Sequence, residues 1–302
     1  MNSLLDNIKS DFFIPRIFDF MGKNVTFKIV NYNKRLQKKL KISMKDFIEI
    51  YEIYAPTKIE IIPIKNRYGK FINVNKNDKE YYHIYFNDNN EEIKNKYSID
   101  EEDKVDKIKI IIDYKAKSLR YLFERCNCIE SIDFKKYCRK KCYVERIFSG
   151  CSSLKELTLS NFYNNEIENM CCFFDELPSV EKINLSNFYN NKADNMNSTF
   201  DGCISLKELN ATNFYNNEAE NMNSTFDGCI SLEKINLSNF FNNKGDNMNS
   251  TFNRCSSLKE LNFINCKNNK TDLFSSFTGC SKDLKINNIS LNMYNGNLTL
   301  KE

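Results

Sequence analysis

Residues 203–227 read CISLKELNATNFYNNEAENMNSTFD, and close copies of this stretch recur on both sides of it at intervals of 26 residues. The column that opens each copy contains Cys151, Leu177, Cys203, Cys229 and Cys255, and Cys126 and Cys280 extend it at intervals of 25. Self-similarity at a period of about 20 to 50 residues is typical of a solenoid, whose units bury their apolar faces against their neighbours. The sequence therefore predicts stacked coils over residues 118–302.

One copy predicts a strand, a loop and a helical turn. Apolar residues from Leu206 to Ala211 alternate with polar ones, as expected of a short strand with one buried face. A stretch rich in asparagine follows and closes the strand. Met222 and Phe226 then form an i, i+4 apolar pair behind Asn221, which predicts a short helical turn. Because each coil combines a parallel strand with a helical turn, the predicted fold class is α+β.

The repeated motif, C-x-S-L-x-x-L-x-L-S-N-F followed by N-M-x-x-x-F-x-x-C, resembles the BspA-like leucine-rich repeats of bacterial surface proteins over residues 126–280. The resemblance implies a leucine-rich-repeat solenoid. The chain departs from the standard repeat where phenylalanine occupies the place of the usual asparagine, at Phe162, Phe188, Phe214 and Phe240. The loop conformation of the standard repeat is therefore not transferred to this chain.

Acidic and basic residues alternate from one copy to the next, which gives a second period of 52 residues. The alternating dipeptides are Lys155-Glu156, Glu181-Lys182, Lys207-Glu208, Glu233-Lys234 and Lys259-Glu260. Neighbouring parallel strands lie about 4.8 Å apart, so equivalent residues of adjacent coils stand side by side with opposite charge. We therefore predict a nearly neutral, self-paired strand face.

The outward strand residues are the predicted contact surface for a protein partner, because a solenoid presents them as a broad, rigid concave face. They are Glu156, Thr158, Lys182, Asn184, Glu208, Asn210, Lys234, Asn236, Glu260 and Asn262. An aromatic column is predicted along the rim, as a second contact surface or as mere ring stacking. It consists of Tyr163, Tyr189, Tyr215 and Phe241.

Acidic residues recur just before each predicted helical turn. They are Glu168, Asp194, Glu220, Asp246 and Asp272. Favourable negative charge at helix N-termini is the simpler interpretation. Because like charges stand close together in stacked coils, screening by a bound cation or by a basic partner is the alternative.

The chain before the repeats predicts a helical segment over residues 1–55 and a sheet-rich segment over residues 56–117. Apolar residues at helical spacing in the first segment resemble a degenerate F-box, which implies docking onto a ubiquitin-ligase adaptor. They are Ile14, Pro15, Ile17, Phe18, Met21, Val25, Ile29 and Val30. In the second segment, residues 58–64, 81–86 and 107–113 predict strands. The last strand, Ile108–Ile112, is predicted to cover the apolar end of the first coil.

The sequence predicts no enzyme, no cofactor and no metal centre. Its one histidine, His83, lies in an aromatic strand without a nearby nucleophile. A four-thiolate zinc site is an alternative for the cysteines at 126, 128, 138 and 142, but Cys126 already belongs to the repeat column. The formal net charge of +4, without a basic stripe in the repeats, argues against a nucleic-acid partner.

The first 25 residues lack the pattern of a signal peptide, and no apolar run reaches about 18 residues, so a cytoplasmic protein without a membrane partner is expected. The column cysteines are then expected to be buried free thiols. The predicted function is a non-enzymatic scaffold that binds another protein. A substrate receptor of a ubiquitin ligase and a cell-surface adhesin are the alternatives.

Overall fold

The computed structural model describes residues 55–138, 142–159, 162–163, 167–185, 193–211, 220–237, 247–263, 276–287, 291–294 and 297–300. Nearly all of them belong to the second of the two units into which the chain divides, Pro56–Glu302. The helical, F-box-like segment predicted over residues 1–55 lies outside the described residues, apart from Ala55.

Regular structure in the described residues is almost entirely β, with one short 3₁₀ helix at Lys79–Tyr81. The strands are β1 (Thr57–Pro63), β2 (Gly69–Lys70), β3 (Tyr82–Phe86), β4 (Ser98–Ile99), β5 (Ile108–Ile112), β6 (Ile129–Cys138), β7 (Glu156–Thr158), β8 (Phe162–Tyr163), β9 (Lys182–Asn184), β10 (Glu208–Asn210), β11 (Lys234–Leu237), β12 (Glu260–Phe263), β13 (Lys285–Asn287), β14 (Leu291–Tyr294) and β15 (Asn297–Leu300). This part of the chain contains no apolar helix of membrane-spanning length.

The predicted helical turn, and with it the α+β class, is wrong: the repeats form a parallel β-solenoid. In place of a helix, each coil has a run of β-turns, such as Thr225 N–H donating to Met222 O at 3.2 Å. Every second amide instead donates to the next coil, as Phe200 N–H does to Thr225 O at 2.8 Å. Ser198 and Gly202 have φ of 51° and 70°, outside the helical region. Backbone hydrogen bonds between coils thus replace those within a helix.

The sheet-rich segment joins the first coil through β1. Strands β3, β5 and β1 pair antiparallel, and β1 also pairs antiparallel with β6, the first strand of the solenoid. From β6 onward the sheet is parallel, in the order β6, β7, β9, β10. The three predicted strands lie within one residue of β1, β3 and β5. The strand against the first coil is β1 and not Ile108–Ile112 as predicted, because β5 lies on the far side of β1.

A stack of parallel phenylalanine rings runs through the core of the solenoid. Phe200 stacks on Phe174 at a centroid distance of 4.9 Å and on Phe226 at 5.1 Å. Phe123, Phe148, Phe252 and Phe277 continue the stack. One ring per coil, supplied by the sequence period, therefore gives each coil the same apolar surface to place on the next.

Buried polar side chains of the repeat bond to carbonyl groups of neighbouring turns. Thr225 is fully buried, and its hydroxyl lies within hydrogen-bond distance of Met222 O and Met196 O. The Cys203 thiol donates to Phe174 O of the preceding coil at 3.0 Å. Burial raises the pKa of Cys203 to about 12. The expected burial is confirmed for the described column cysteines in coil interiors, such as Cys203 and Cys229, and their free-thiol state stays a prediction.

Candidate functional site

The outward residues of β7, β9, β10, β11 and β12 form columns along the solenoid, and we call this surface the strand face. Glu156 lies beside Lys182 and Lys182 beside Glu208 in the parallel register. Eight of the predicted contact residues are exposed, and Glu260 and Asn262 are half-buried. The exposed ones are Glu156, Thr158, Lys182, Asn184, Glu208, Asn210, Lys234 and Asn236. The structure therefore brings together on one surface all the strand residues that the sequence analysis selected.

Charged residues of the strand face form ion pairs between adjacent coils. Lys182 Nζ lies 2.9 Å from Glu208 Oε1, and Lys234 Nζ lies 2.8 Å from Glu260 Oε2. The Lys234–Glu260 hydrogen bond raises the pKa of Lys234 and lowers that of Glu260. The predicted self-pairing of this face is confirmed by these contacts. Exposed pairs of this kind contribute little to the stability of the fold.

Glu156, Lys182, Glu208, Lys234 and Glu260 form the first charge column of the strand face. A second charge column runs beside it and has the opposite charge in each coil. Its ion pairs are Lys155–Glu130 at 2.8 Å, Lys207–Glu181 at 3.0 Å and Lys259–Glu233 at 3.0 Å. Within one coil a lysine of this column precedes a glutamate of the first, and the next coil reverses the order. The strand face thus carries a checkerboard of opposite charges. This column was not part of the predicted contact surface, although the alternating dipeptides already contained it.

A groove with a volume of about 730 Å³ crosses the strand face between β10 and β12. It lies where the eight-stranded sheet ends at β10 and the three-stranded sheet begins at β11. Leu209 is partly exposed there, whereas the equivalent Ile183 and Ile235 are buried. The remaining lining consists of Lys207, Glu208, Asn210, Glu233, Lys234, Asn236, Glu260 and Asn262. The groove therefore combines an apolar floor with charged and amide walls.

Most of the predicted aromatic rim lies outside the described residues. Tyr189, Tyr215 and Phe241 belong to that part, and of Tyr163 only the backbone, in β8, is described. The neighbouring Phe162 is buried and stacks on Tyr137 at a centroid distance of 3.8 Å. The aromatic rim stays a prediction.

The acidic column is described at Glu168, Asp194 and Glu220, which are all exposed. Asp246 and Asp272 lie outside the described residues. The helix-dipole interpretation is wrong because these residues precede β-turns. Their backbones are linked by coil-to-coil hydrogen bonds, such as Glu220 N–H to Asp194 O at 2.8 Å.

Cys126, Cys128 and His83, which were weighed for chemistry, are held in structural contacts, and the side chain of Cys138 lies outside the described residues. Cys128 donates from its thiol to Lys70 O at 3.1 Å, and Cys126 is buried in the coil column. The His83 ring contacts Glu92 Oε1 at 3.0 Å through Nδ1. Within the residues that the structure describes, no group of three or more histidine, cysteine or acidic side chains forms a metal site.

Asp175 is a half-buried acidic residue in the run of β-turns of its coil. Burial, with Glu176 and Asp201 nearby, raises its pKa to about 6, although Ser149 donates a hydrogen bond to it at 3.2 Å. Its pKa in the unfolded chain is about 3.9. The stability that it contributes is therefore fully present below about pH 4 and is lost as the pH rises through about 6.

We therefore expect Asp175→Asn to raise the thermal midpoint relative to the native chain at pH 8, and to change it much less at pH 4.5. Thermal unfolding at the two pH values measures the difference. The exposed Asp283 provides the control, because Asp283→Asn should shift the midpoint little at either pH. A midpoint lowered by Asp175→Asn at pH 8 would contradict the role assigned to burial.

The repeats match one known family. The family described as Mycoplasma protein of unknown function, DUF285, matches residues 117–216, 142–265 and 183–288. Together these matches span more than half of the chain. The chain belongs to DUF285. The resemblance to BspA-like repeats is confirmed at this level.

No curated protein and no solved structure matches the chain. The DUF285 match begins at residue 117, so it does not extend to the segment that resembles an F-box. Family membership supports a repeat scaffold, and the family description names no ligand.

Proposed function

We propose that this DUF285 protein is a non-enzymatic, cytoplasmic scaffold that binds another protein through its strand face. The observation that carries the proposal is the charge checkerboard, which is exposed to solvent and held in register by the pairing of β7, β9 and β10 and by that of β11 and β12. A rigid surface loses little conformational entropy on binding, which favours recognition. Its alternating charges select a partner by electrostatic complementarity.

The charge balance of the strand face favours a protein over a nucleic acid. Each lysine of the two columns has a glutamate neighbour in an adjacent coil, as in the Lys182–Glu208 and Lys207–Glu181 pairs. A phosphate backbone needs a surplus of basic side chains, which such pairing removes. A protein surface with its own mixture of acidic and basic residues is the better match.

The groove between β10 and β12 is the proposed centre of the contact. Binding energy concentrates where an apolar anchor is desolvated and a polar rim surrounds it. Leu209 supplies the exposed part of the apolar floor, and Lys207, Glu208 and Lys234 stand around it. A partner that inserts an apolar side chain there satisfies both features.

We expect Lys182→Glu combined with Lys234→Glu to remove the partner from the set of proteins captured from native cells by the full chain. The two changes remove the lysines that lie between Glu156, Glu208 and Glu260. The first column then contains five consecutive acidic residues. Each change lowers the formal net charge by two, so the total falls from +4 to 0. Circular dichroism checks that the variant is folded.

The matched control is Lys76→Glu combined with Lys94→Glu, which changes the net charge equally at exposed sites before the repeats. The proposal requires the control to capture the same proteins as the native chain. Equal capture by all three baits, with all three folded, would make the repeats a spacer.

Two narrower roles are distinguished by what is captured. If the chain captures a ubiquitin-ligase adaptor, and this capture requires residues 1–55, the chain is a substrate receptor. An extracellular or host surface protein would assign it as an adhesin.

A further inference from the structure

Two adjacent cysteines, Cys171 and Cys172, interrupt the repeat pattern within the run of β-turns of their coil. Cys171 Sγ lies 3.3 Å from Cys172 Sγ. Cys171 is partly exposed and Cys172 is buried. The three following copies have asparagine and serine at these two places: Asn197-Ser198, Asn223-Ser224 and Asn249-Ser250. The dithiol is therefore a local replacement in a turn that the repeat forms without sulfur.

A chain of side-chain amides ends at Cys171. Asn223 Nδ2 donates to Asn197 Oδ1 at 2.9 Å, and Asn197 Nδ2 lies 3.8 Å from Cys171 Sγ as a donor. Consecutive hydrogen bonds polarise one another. The final amide N–H is therefore the positive end of a chain of dipoles, and it points at the sulfur of Cys171. Such an arrangement stabilises a thiolate at Cys171.

The thiol of Cys172 and nearby charged groups act on the same sulfur. A hydrogen bond between the two sulfurs lowers the pKa of Cys171 and raises that of Cys172. Arg146, which occupies the equivalent of Cys172 in the preceding coil, also lowers the pKa of Cys171, and Asp175 opposes it. The column thiols differ, because burial raises the pKa of Cys203 and Cys229.

We propose that Cys171 and Cys172 form a reversible oxidation site for small-molecule disulfides of the glutathione type. The Cys171 thiolate attacks one sulfur of the small disulfide, forms a mixed disulfide and releases one small thiolate. Cys172 then gives its proton to solvent, and its sulfur attacks Cys171 Sγ and expels the second small thiolate. Two protein thiols are oxidised to one disulfide, and one small disulfide is reduced to two thiols.

The oxidised form is expected to be easily reduced. Adjacent Cα atoms are about 3.8 Å apart, which is shorter than the range of about 4.4–6.8 Å usual for disulfide-linked residues. A disulfide between neighbours is therefore strained, and strained disulfides have more oxidising potentials. The site thus has the properties of a reversible switch.

The test exposes the folded full-length chain to oxidised glutathione, blocks remaining thiols and analyses the peptides by mass spectrometry. The expected product is a Cys171–Cys172 peptide that has lost two hydrogen atoms and regains them with dithiothreitol. The repeat itself supplies fold-compatible variants, Cys171→Asn and Cys172→Ser. Cys172→Ser should stop at a glutathione adduct on Cys171, and Cys171→Asn should abolish the reaction at this site.

A second readout is the rate of alkylation by iodoacetamide in the native protein. Cys171 should react at least about tenfold faster than Cys203 or Cys229. Between pH 8 and pH 6.5 its rate should fall less than about threefold, whereas an ordinary thiol with a pKa near 8.5 slows about twentyfold. Oxidation of Cys172 that persists in Cys171→Asn, or column thiols that react as fast as Cys171, would overturn the proposal.

Discussion

Phe200→Ala is expected to destabilise the solenoid by about 3–5 kcal/mol, the usual cost of removing a buried aromatic ring. The Phe200 side chain is 1% exposed and stacks on Phe174 and Phe226. Its loss leaves a cavity in the middle of a continuous stack and separates the coils on either side. Because each coil contacts only its neighbours, the damage falls on the coupling between the two halves of the repeat array.

Urea unfolding of the native chain and the variant measures the effect. The control is Ile204→Ala in the same coil, because the Ile204 side chain is 43% exposed. Its expected cost is about 1 kcal/mol or less. Equal unfolding midpoints for the two variants would contradict the assignment of the phenylalanine stack to the core.

Deletion of residues 177–228, a pair of copies, is expected to leave a folded, shorter solenoid. Phe174 then stacks on Phe252, and Glu156 meets Lys234 in the new register. Deletion of residues 177–202, a single copy, is expected to be worse tolerated although it removes less chain. In that variant Glu156 meets Glu208 and Lys155 meets Lys207, so both charge columns place like charges side by side.

The thermal midpoints of the two deletion variants measure the difference, with the double-copy deletion higher. A third variant serves as the control: deletion of residues 177–202 combined with Glu156→Lys places opposite charges at the new junction of the first column, and the other neighbour of residue 156 is the uncharged Ser131. It should recover part of the lost midpoint. Equal midpoints for the two deletions would mean that the alternation of charge does not determine which coils can neighbour each other.

The repeat period predicted the solenoid, the strands and the column of charges, because each depends on residues at a fixed interval. Leu157 and Ile183 are buried and their neighbours exposed as the period-2 pattern requires. The partner of each charge was not predicted. Lys182 has a glutamate on both sides in the register, and only the side-chain geometry shows the contact with Glu208.

The prediction of a helical turn was wrong because the same spacing of apolar residues suits two structures. Met222 and Phe226 lie four residues apart, and consecutive β-turns bring both to the core as a helical turn does. The deciding hydrogen bonds run from one coil to the next, so they involve residues about 25 positions away, as in Met222 N–H to Asn247 O. A pattern confined to one copy does not contain them.

The identity of the strand that pairs with the first coil also could not be predicted from a local sequence pattern. Strands β1 and β5 are both apolar on alternate positions, and antiparallel pairing with β6 is a long-range choice. The role of the column cysteines was predicted only in part. Burial followed from the repeat phase, whereas the thiol hydrogen bond from Cys203 to Phe174 O depends on the neighbouring coil.

The most direct test of the account is the affinity of a captured protein partner for the strand face. The partner is purified and titrated against the native chain, Lys182→Glu/Lys234→Glu and the control Lys76→Glu/Lys94→Glu. The strand-face variant is expected to bind at least about tenfold more weakly, a loss of about 1.4 kcal/mol, with most of the loss in the association rate. The control should bind like the native chain. The same affinity for all three folded proteins would contradict the claim that the strand face is the binding surface.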